Sequence, residues 1–225
     1  MEKQVLDNPA KNQEKQYQYL IVIVALMVTS YLTSNIMAVK LIDIYGITWF
    51  DAGTIVFPIA YMLGDVLTEM WGYKTAKKVI YLTFMCNVFM TVATYIGVFF
   101  DSPDYMQEVK DAYAVIFSYT PRILIASLLA FLIGEITNAK VMAEVKKKTK
   151  GKYLFVRTIL SSAVGYVFDT AVFVVIAFVG TSPFEDICGM ILVQYFIKLL
   201  LEAVFTTPIV YIVVGFLKKR IQEME

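Results

Sequence analysis

Six stretches of this chain, at about Tyr17–Val39, Phe50–Trp71, Val79–Phe100, Pro121–Val145, Tyr153–Gly180 and Cys188–Phe216, are apolar for longer than the roughly 20 residues that cross a bilayer. Runs of that length are too long for the core of a soluble domain. With 59% hydrophobic residues among 225 and a mean hydropathy of +0.66, the chain reads as an all-α integral membrane protein. The expected organisation is one transmembrane domain, 17–217, between a cytoplasmic N-tail, 1–16, and a cytoplasmic C-tail, 218–225. The last two runs exceed a simple crossing, so tilt or extension beyond the lipid is expected, with a bend near Pro208. The first run follows a polar tail, is too long for a signal core and has no small-residue cleavage site before Lys40, so no cleavable signal peptide is expected.

Basic residues set the orientation. The N-tail (Lys3, Lys11, Lys15), the second connection (Lys74, Lys77, Lys78), the fourth (Lys140, Lys146, Lys147, Lys148, Lys150, Lys152) and the C-tail (Lys218, Lys219, Arg220) alternate with connections that hold only Lys40, Lys110 and Arg122. The positive-inside rule therefore predicts six helices with both termini in the cytoplasm, in a multi-pass protein of the cell membrane. Between helices three and four, Met106, Val109, Tyr113, Ile116 and Phe117 recur at helical spacing and predict a short external helix on the membrane surface. Small residues in the first span, Ser30, Ser34 and Ala38, fit close helix packing.

Several function classes lose their support. Histidine is absent, which removes the usual transition-metal ligand and proton relay. Cys86 and Cys188 fall at different membrane depths and should not pair. There is no phosphate-cradling glycine loop and no nucleophile–base pair, so neither an ATPase nor a cofactor is expected. The Lys clusters sit where membrane orientation puts them and imply no nucleic-acid partner. An intramembrane acid–base dyad of Asp65 and Glu135 is conceivable in principle, but without a recognisable catalytic motif the chain is not expected to be an enzyme.

What remains are charges inside the spans, which are costly in lipid and normally face a bundle interior. Asp65 and Glu69 lie one helical turn apart on one face. Counted from the external side, Asp65 falls fifteen residues into the second span and Glu135 fourteen into the fourth, so the two should be level. Glu69 is either a helix-end carboxylate near Lys74 or part of the same polar path. Asp169 and Lys198 flank the short external connection at matching depths and could pair, as a static bridge or as partners that open for substrate or a coupling ion. Gln194, Lys198 and Glu202 form a polar stripe at i, i+4 and i+8, in which Glu202 could pair with Lys198. Arg157 reads as snorkelling to the cytoplasmic headgroups, and Asn35 as a capping group or a ligand donor.

Phe57-Pro58, the segment Gly64-Asp65-Val66-Leu67-Thr68-Glu69-Met70-Trp71-Gly72-Tyr73-Lys74 with Lys77-Lys78, then Arg157, Ser161-Ser162, Gly165, Asp169-Thr170 and Lys198 resemble the vitamin uptake transporter family over nearly all of residues 17–220. Trp71 departs from the tyrosine common in that pattern. The resemblance implies an importer of queuosine precursors, 7-cyano-7-deazaguanine and 7-aminomethyl-7-deazaguanine, across the cytoplasmic membrane. It would work alone or as a homodimer, or serve as the substrate-binding subunit of an energy-coupling-factor importer. A guanine-like ring presents adjacent N–H donors to a carboxylate and flat faces to aromatics. The expected ligand contacts are thus Asp65 or Glu135 at that edge, Asn35 or Gln194 at the other polar edge, and Phe57 with Tyr166 at the faces. Asp169, Lys198 and Glu69 would serve as coupling or ion-pair residues.

Overall fold

The computed structural model describes residues 9–44, 47–117, 121–180 and 183–222. Lys3 of the N-tail and the end of the C-tail lie outside the described residues. Helix α1 (Pro9–Met37) leads into a hairpin of β1 (Leu41–Ile44) and β2 (Ile47–Asp51), followed by α2 (Gly53–Val98). A 3-10 turn (Asp104–Met106) precedes α3 (Gln107–Phe117), and α4 (Pro121–Lys148) and α5 (Leu154–Phe178) follow. Helix α6 (Phe184–Leu201) runs through a π turn (Glu202–Thr206) into α7 (Thr207–Gln222). Among the described residues, five stretches are long and apolar enough to cross a membrane: Gln16–Met37, Gly53–Val98, Ile125–Lys148, Leu154–Phe178 and Ile187–Arg220.

A short hairpin accompanies the helices of this all-α membrane fold. Its strands pair antiparallel, Leu41 with Asp51 and Ile44 with Ile47, with a bulge between Ile42 and Asp43. The β-branched and aromatic run Ile47-Thr48-Trp49-Phe50 suits a strand, so Phe50 belongs to β2 and the second predicted span starts at Gly53 instead.

The second and third predicted spans are joined in α2. Its 46 residues would measure about 69 Å as one straight rod, against a hydrocarbon core of about 30 Å. Gly72, at φ 78° and ψ 167°, breaks the helical geometry between the two halves. Near Pro208, α6 and α7 are continuous through the π turn, where the Thr207 N–H donates to the Glu202 carbonyl. The wider turn accommodates a proline that cannot donate to the ladder.

Burial is inverted relative to a water-soluble protein. Phe89, Phe196 and Ile212 point outward, while Asp65, Glu135 and Glu202 are wholly buried. That distribution fits lipid as the solvent. Tyr31, Met27, Ala60, Val66, Leu67, Ile80 and Phe131 form the packed centre. Helix α3 stays at the surface with no buried residue, and its Tyr113 hydroxyl donates to the Thr94 carbonyl at 3.1 Å. Gly97 leaves room for that contact, because a Cβ there would lie 2.6 Å from the Tyr113 oxygen. Lys110 of α3 pairs with Asp101, ahead of the helix, at 2.6 Å and holds its carboxyl below the usual carboxylate range.

Candidate functional site

Tyr61, Asp65 and Glu69 recur every four residues on one face of α2, and that face packs on α4 and meets the side chains of Tyr166 and Arg157 from α5. Glycines permit the approach. A Cβ on Gly64 would lie 2.7 Å from Glu135 Oε2, one on Gly165 2.9 Å from the Asn138 Cβ, and one on Gly134 would fall on the Tyr61 hydroxyl. The result is a cluster in which Glu135 lies within electrostatic range of Asp65, Asp169 and Glu202, and Asp65 within range of Glu202.

These carboxylates are only partly satisfied by the protein. Asn138 Nδ2 donates to Asp65 Oδ1 at 3.0 Å, and the Tyr166 hydroxyl donates to Glu202 Oε2 at 3.0 Å. Asp65 Oδ2, both oxygens of Glu135, Glu202 Oε1, the Tyr61 hydroxyl and Asn138 Oδ1 are buried without a hydrogen-bond partner among the described residues. Buried polar groups are normally paired. A concentration of free acceptors in one place therefore marks a site for a donor-rich molecule.

Lys198 supplies the positive charge. Its ammonium donates to Asp169 Oδ2 at 2.5 Å and to Thr170 Oγ1 at 3.3 Å, and it lies 5.1 Å from the centroid of the Phe57 ring, within cation–π range. Glu202, one turn beyond, bonds Tyr166 rather than Lys198, which corrects the pairing expected along the α6 stripe. The Glu202 N–H still reaches the Lys198 carbonyl, so the helix keeps its register up to the start of the π turn.

Aromatic rings line the same region. Tyr31 stacks on Phe131 at 3.7 Å, Phe57 lies 6.4 Å from Tyr31 and 5.2 Å from Tyr61, and Tyr61 lies 4.6 Å from Tyr166. The structure thus brings Phe57, Asp65, Glu135, Tyr166, Asp169 and Lys198 together. Asn35 stands beside Tyr31, where its Oδ1 accepts from Ser127 Oγ at 3.0 Å. Gln194 is half-buried one turn before Lys198 and takes no part in this network. No sequence pattern singles out Tyr31 and Tyr61, although each precedes a polar residue, Asn35 or Asp65, by one helical turn.

Glu69 belongs to a second, separate arrangement. Its carboxylate accepts from Arg157 Nη1 at 2.5 Å and from Lys218 at 2.8 Å, with Lys146 at 3.2 Å. Lys146 also bonds the Glu69 backbone carbonyl, within one turn of the break at Gly72. Four helices, α2, α4, α5 and α7, are tied by one carboxylate. Lys74 is exposed and is not its partner. Arg157, expected to snorkel, is instead buried to 1% exposure. A carboxylate and the Gly151 carbonyl meet its guanidinium there, which makes burial tolerable.

The family described as "Putative vitamin uptake transporter" matches residues 51–213 of the chain. A Bacillus subtilis (strain 168) protein named "Probable queuosine precursor transporter" is 28% identical over 166 residues, covering 73% of this chain and 72% of that relative. A Haemophilus influenzae protein of the same name is 25% identical over 178 residues, covering 78% of this chain and 72% of its own length. No solved structure matches.

Proposed function

The chain belongs to the vitamin uptake transporter family, and from that premise we propose that this multi-pass cell-membrane protein imports queuosine precursors, 7-cyano-7-deazaguanine and 7-aminomethyl-7-deazaguanine, by alternating access. The substrate would cross unchanged, so the function is carriage without catalysis. Two relatives with queuosine precursor in their names support the substrate class. The observation that carries the reading is the set of unpartnered carboxylate oxygens on Asp65, Glu135 and Glu202 beside a row of aromatic rings. Adjacent ring and exocyclic N–H donors of a guanine-like base complement a carboxylate at two points, and its faces suit the rings of Phe57 and Tyr166.

Six crossings fit this reading. The break in helical geometry at Gly72 would let α2 cross twice, and the basic residues would then alternate with both termini in the cytoplasm. Asp169 and Lys198 would separate and re-form as the site changes sides, because substrate that engages one charge weakens its hold on the other. Glu69, bound by Arg157, Lys146 and Lys218, would close the cytoplasmic side.

Uptake of labelled precursor by proteoliposomes containing this chain alone is the test. Transport without any partner is expected, and Asp65→Asn should abolish it while the protein remains folded and inserted. Uptake by the variant at the unaltered rate would overturn the role of Asp65. Failure of the unaltered chain to transport either precursor would overturn the function.

A further inference from the structure

Thr83 and Asn87 lie one turn apart on the second half of α2. Both are wholly buried, and the Thr83 hydroxyl and both amide atoms of Asn87 lack a hydrogen-bond partner among the described residues. Asn35 and Asn87 both approach the Tyr31 hydroxyl without reaching normal hydrogen-bond geometry, and that hydroxyl itself reaches the Ser127 carbonyl at 3.4 Å. On the next turn of α1, Asn35 keeps its Nδ2 unpartnered. This second group of free polar atoms holds amides and hydroxyls, without the carboxylates of the first. Phe57 stands between the two groups: its ring lies 6.4 Å from that of Tyr31 and 5.1 Å from the Lys198 ammonium.

An amide with both ends free presents an acceptor and a donor side by side. Its complement is an edge with a ring nitrogen acceptor next to a ring N–H, in the way that asparagine pairs with a purine edge at two points. A cation would be poorly served, because Asn35 and Asn87 both keep an N–H donor unpartnered. A 7-deazaguanine has such an edge at N3 and N9–H, on the side away from the donors that suit a carboxylate. That edge exists only in the free base. A sugar or methyl on N9 removes the donor and adds bulk.

We propose that Asn87 binds the N3/N9–H edge of the heterocyclic substrate and makes the protein selective for free bases over their nucleosides. The proposal rests on the transport reading above and adds a recognition point to it. Asn35 positions the same edge from the side of α1.

Equilibrium binding of 7-cyano-7-deazaguanine and of its N9-methyl derivative to the purified full chain tests it. The unaltered protein should bind the free base more tightly than the N9-methyl compound by roughly tenfold or more. Asn87→Leu should lose most of that preference by weakening the free base alone, with no fall in melting temperature. Asn87→Ala serves in the same way if the leucine variant is not recovered folded. A variant that keeps the full preference overturns the proposal. So does one that weakens both ligands equally and melts earlier, since that is the signature of a packing role. If the unaltered protein binds neither compound, the transport reading itself fails, an outcome distinct from binding that is indifferent to residue 87.

Discussion

Glu69 and Arg157 are each about 1% exposed at the side chain and meet at 2.5 Å. Breaking a buried pair by removing one partner typically costs about 3–5 kcal/mol, because the other charge is left uncompensated. Glu69→Gln is therefore expected to lower the melting temperature of the detergent-solubilised protein markedly. Glu69→Leu with Arg157→Met should recover much of the loss, since apolar residues of similar size can replace a buried pair. Two glycines separate packing from site chemistry. A Cβ on Gly134 meets the Tyr61 hydroxyl and, at 2.7 Å, the Asp169 Cβ, whereas one on Gly64 meets only the carboxylate end of Glu135. Gly134→Ala should destabilise by about 1–3 kcal/mol through overpacking. Gly64→Ala should melt closer to the unaltered protein yet transport less, because the mobile Glu135 end gives way. At this scale the charged members of the site were legible, since Asp65, Glu135, Asp169 and Lys198 each interrupt an apolar run. Tyr31 and Tyr61 were not, because an aromatic residue in such a run has the pattern of ordinary core.

Gly72 matters at the scale of the helix. Its φ of 78° with ψ of 167° lies in a region that essentially only glycine occupies, where another residue costs about 1–3 kcal/mol. An added Cβ there would meet nothing within 4 Å, so the cost of Gly72→Ala is backbone strain alone. The expected outcome is a lower melting temperature with less uptake, as α2 straightens and draws Glu69 away from Arg157, Lys146 and Lys218. If Gly72→Ala melts like the unaltered protein, the break does not depend on glycine. The sequence marked a boundary near Gly72 through the polar run Tyr73–Lys78, but it could not distinguish a loop from a kinked continuous helix, since both tolerate glycine and lysine. The π turn was equally hidden. Pro208 announced a bend, whereas the turn that relieves it lies upstream, from Glu202 to Thr206.

For the whole molecule, fold class was legible because apolar length is a property of each segment by itself. Which helices touch is not such a property. The Glu69 arrangement joins residues up to 149 positions apart, and no local pattern connects Lys218 to Glu69. Depth counting came closer for Asp169 and Lys198, because the short connection between their helices fixes both from one side. The inferred six-crossing topology makes a prediction at this scale. Ser102 lies between the second half of α2 and α3, and Thr149 between α4 and α5, so the charge rule puts them on opposite membrane faces. In a background with Cys86 and Cys188 replaced by alanine, Ser102→Cys should react with a membrane-impermeant maleimide on intact cells. Thr149→Cys should react only after the membrane is opened. With the N-tail inside, labelling of Thr149→Cys but not of Ser102→Cys from outside would mean that α2 crosses once, with Gly72 a bend inside a single span, and the basic connections could not then all face the cytoplasm.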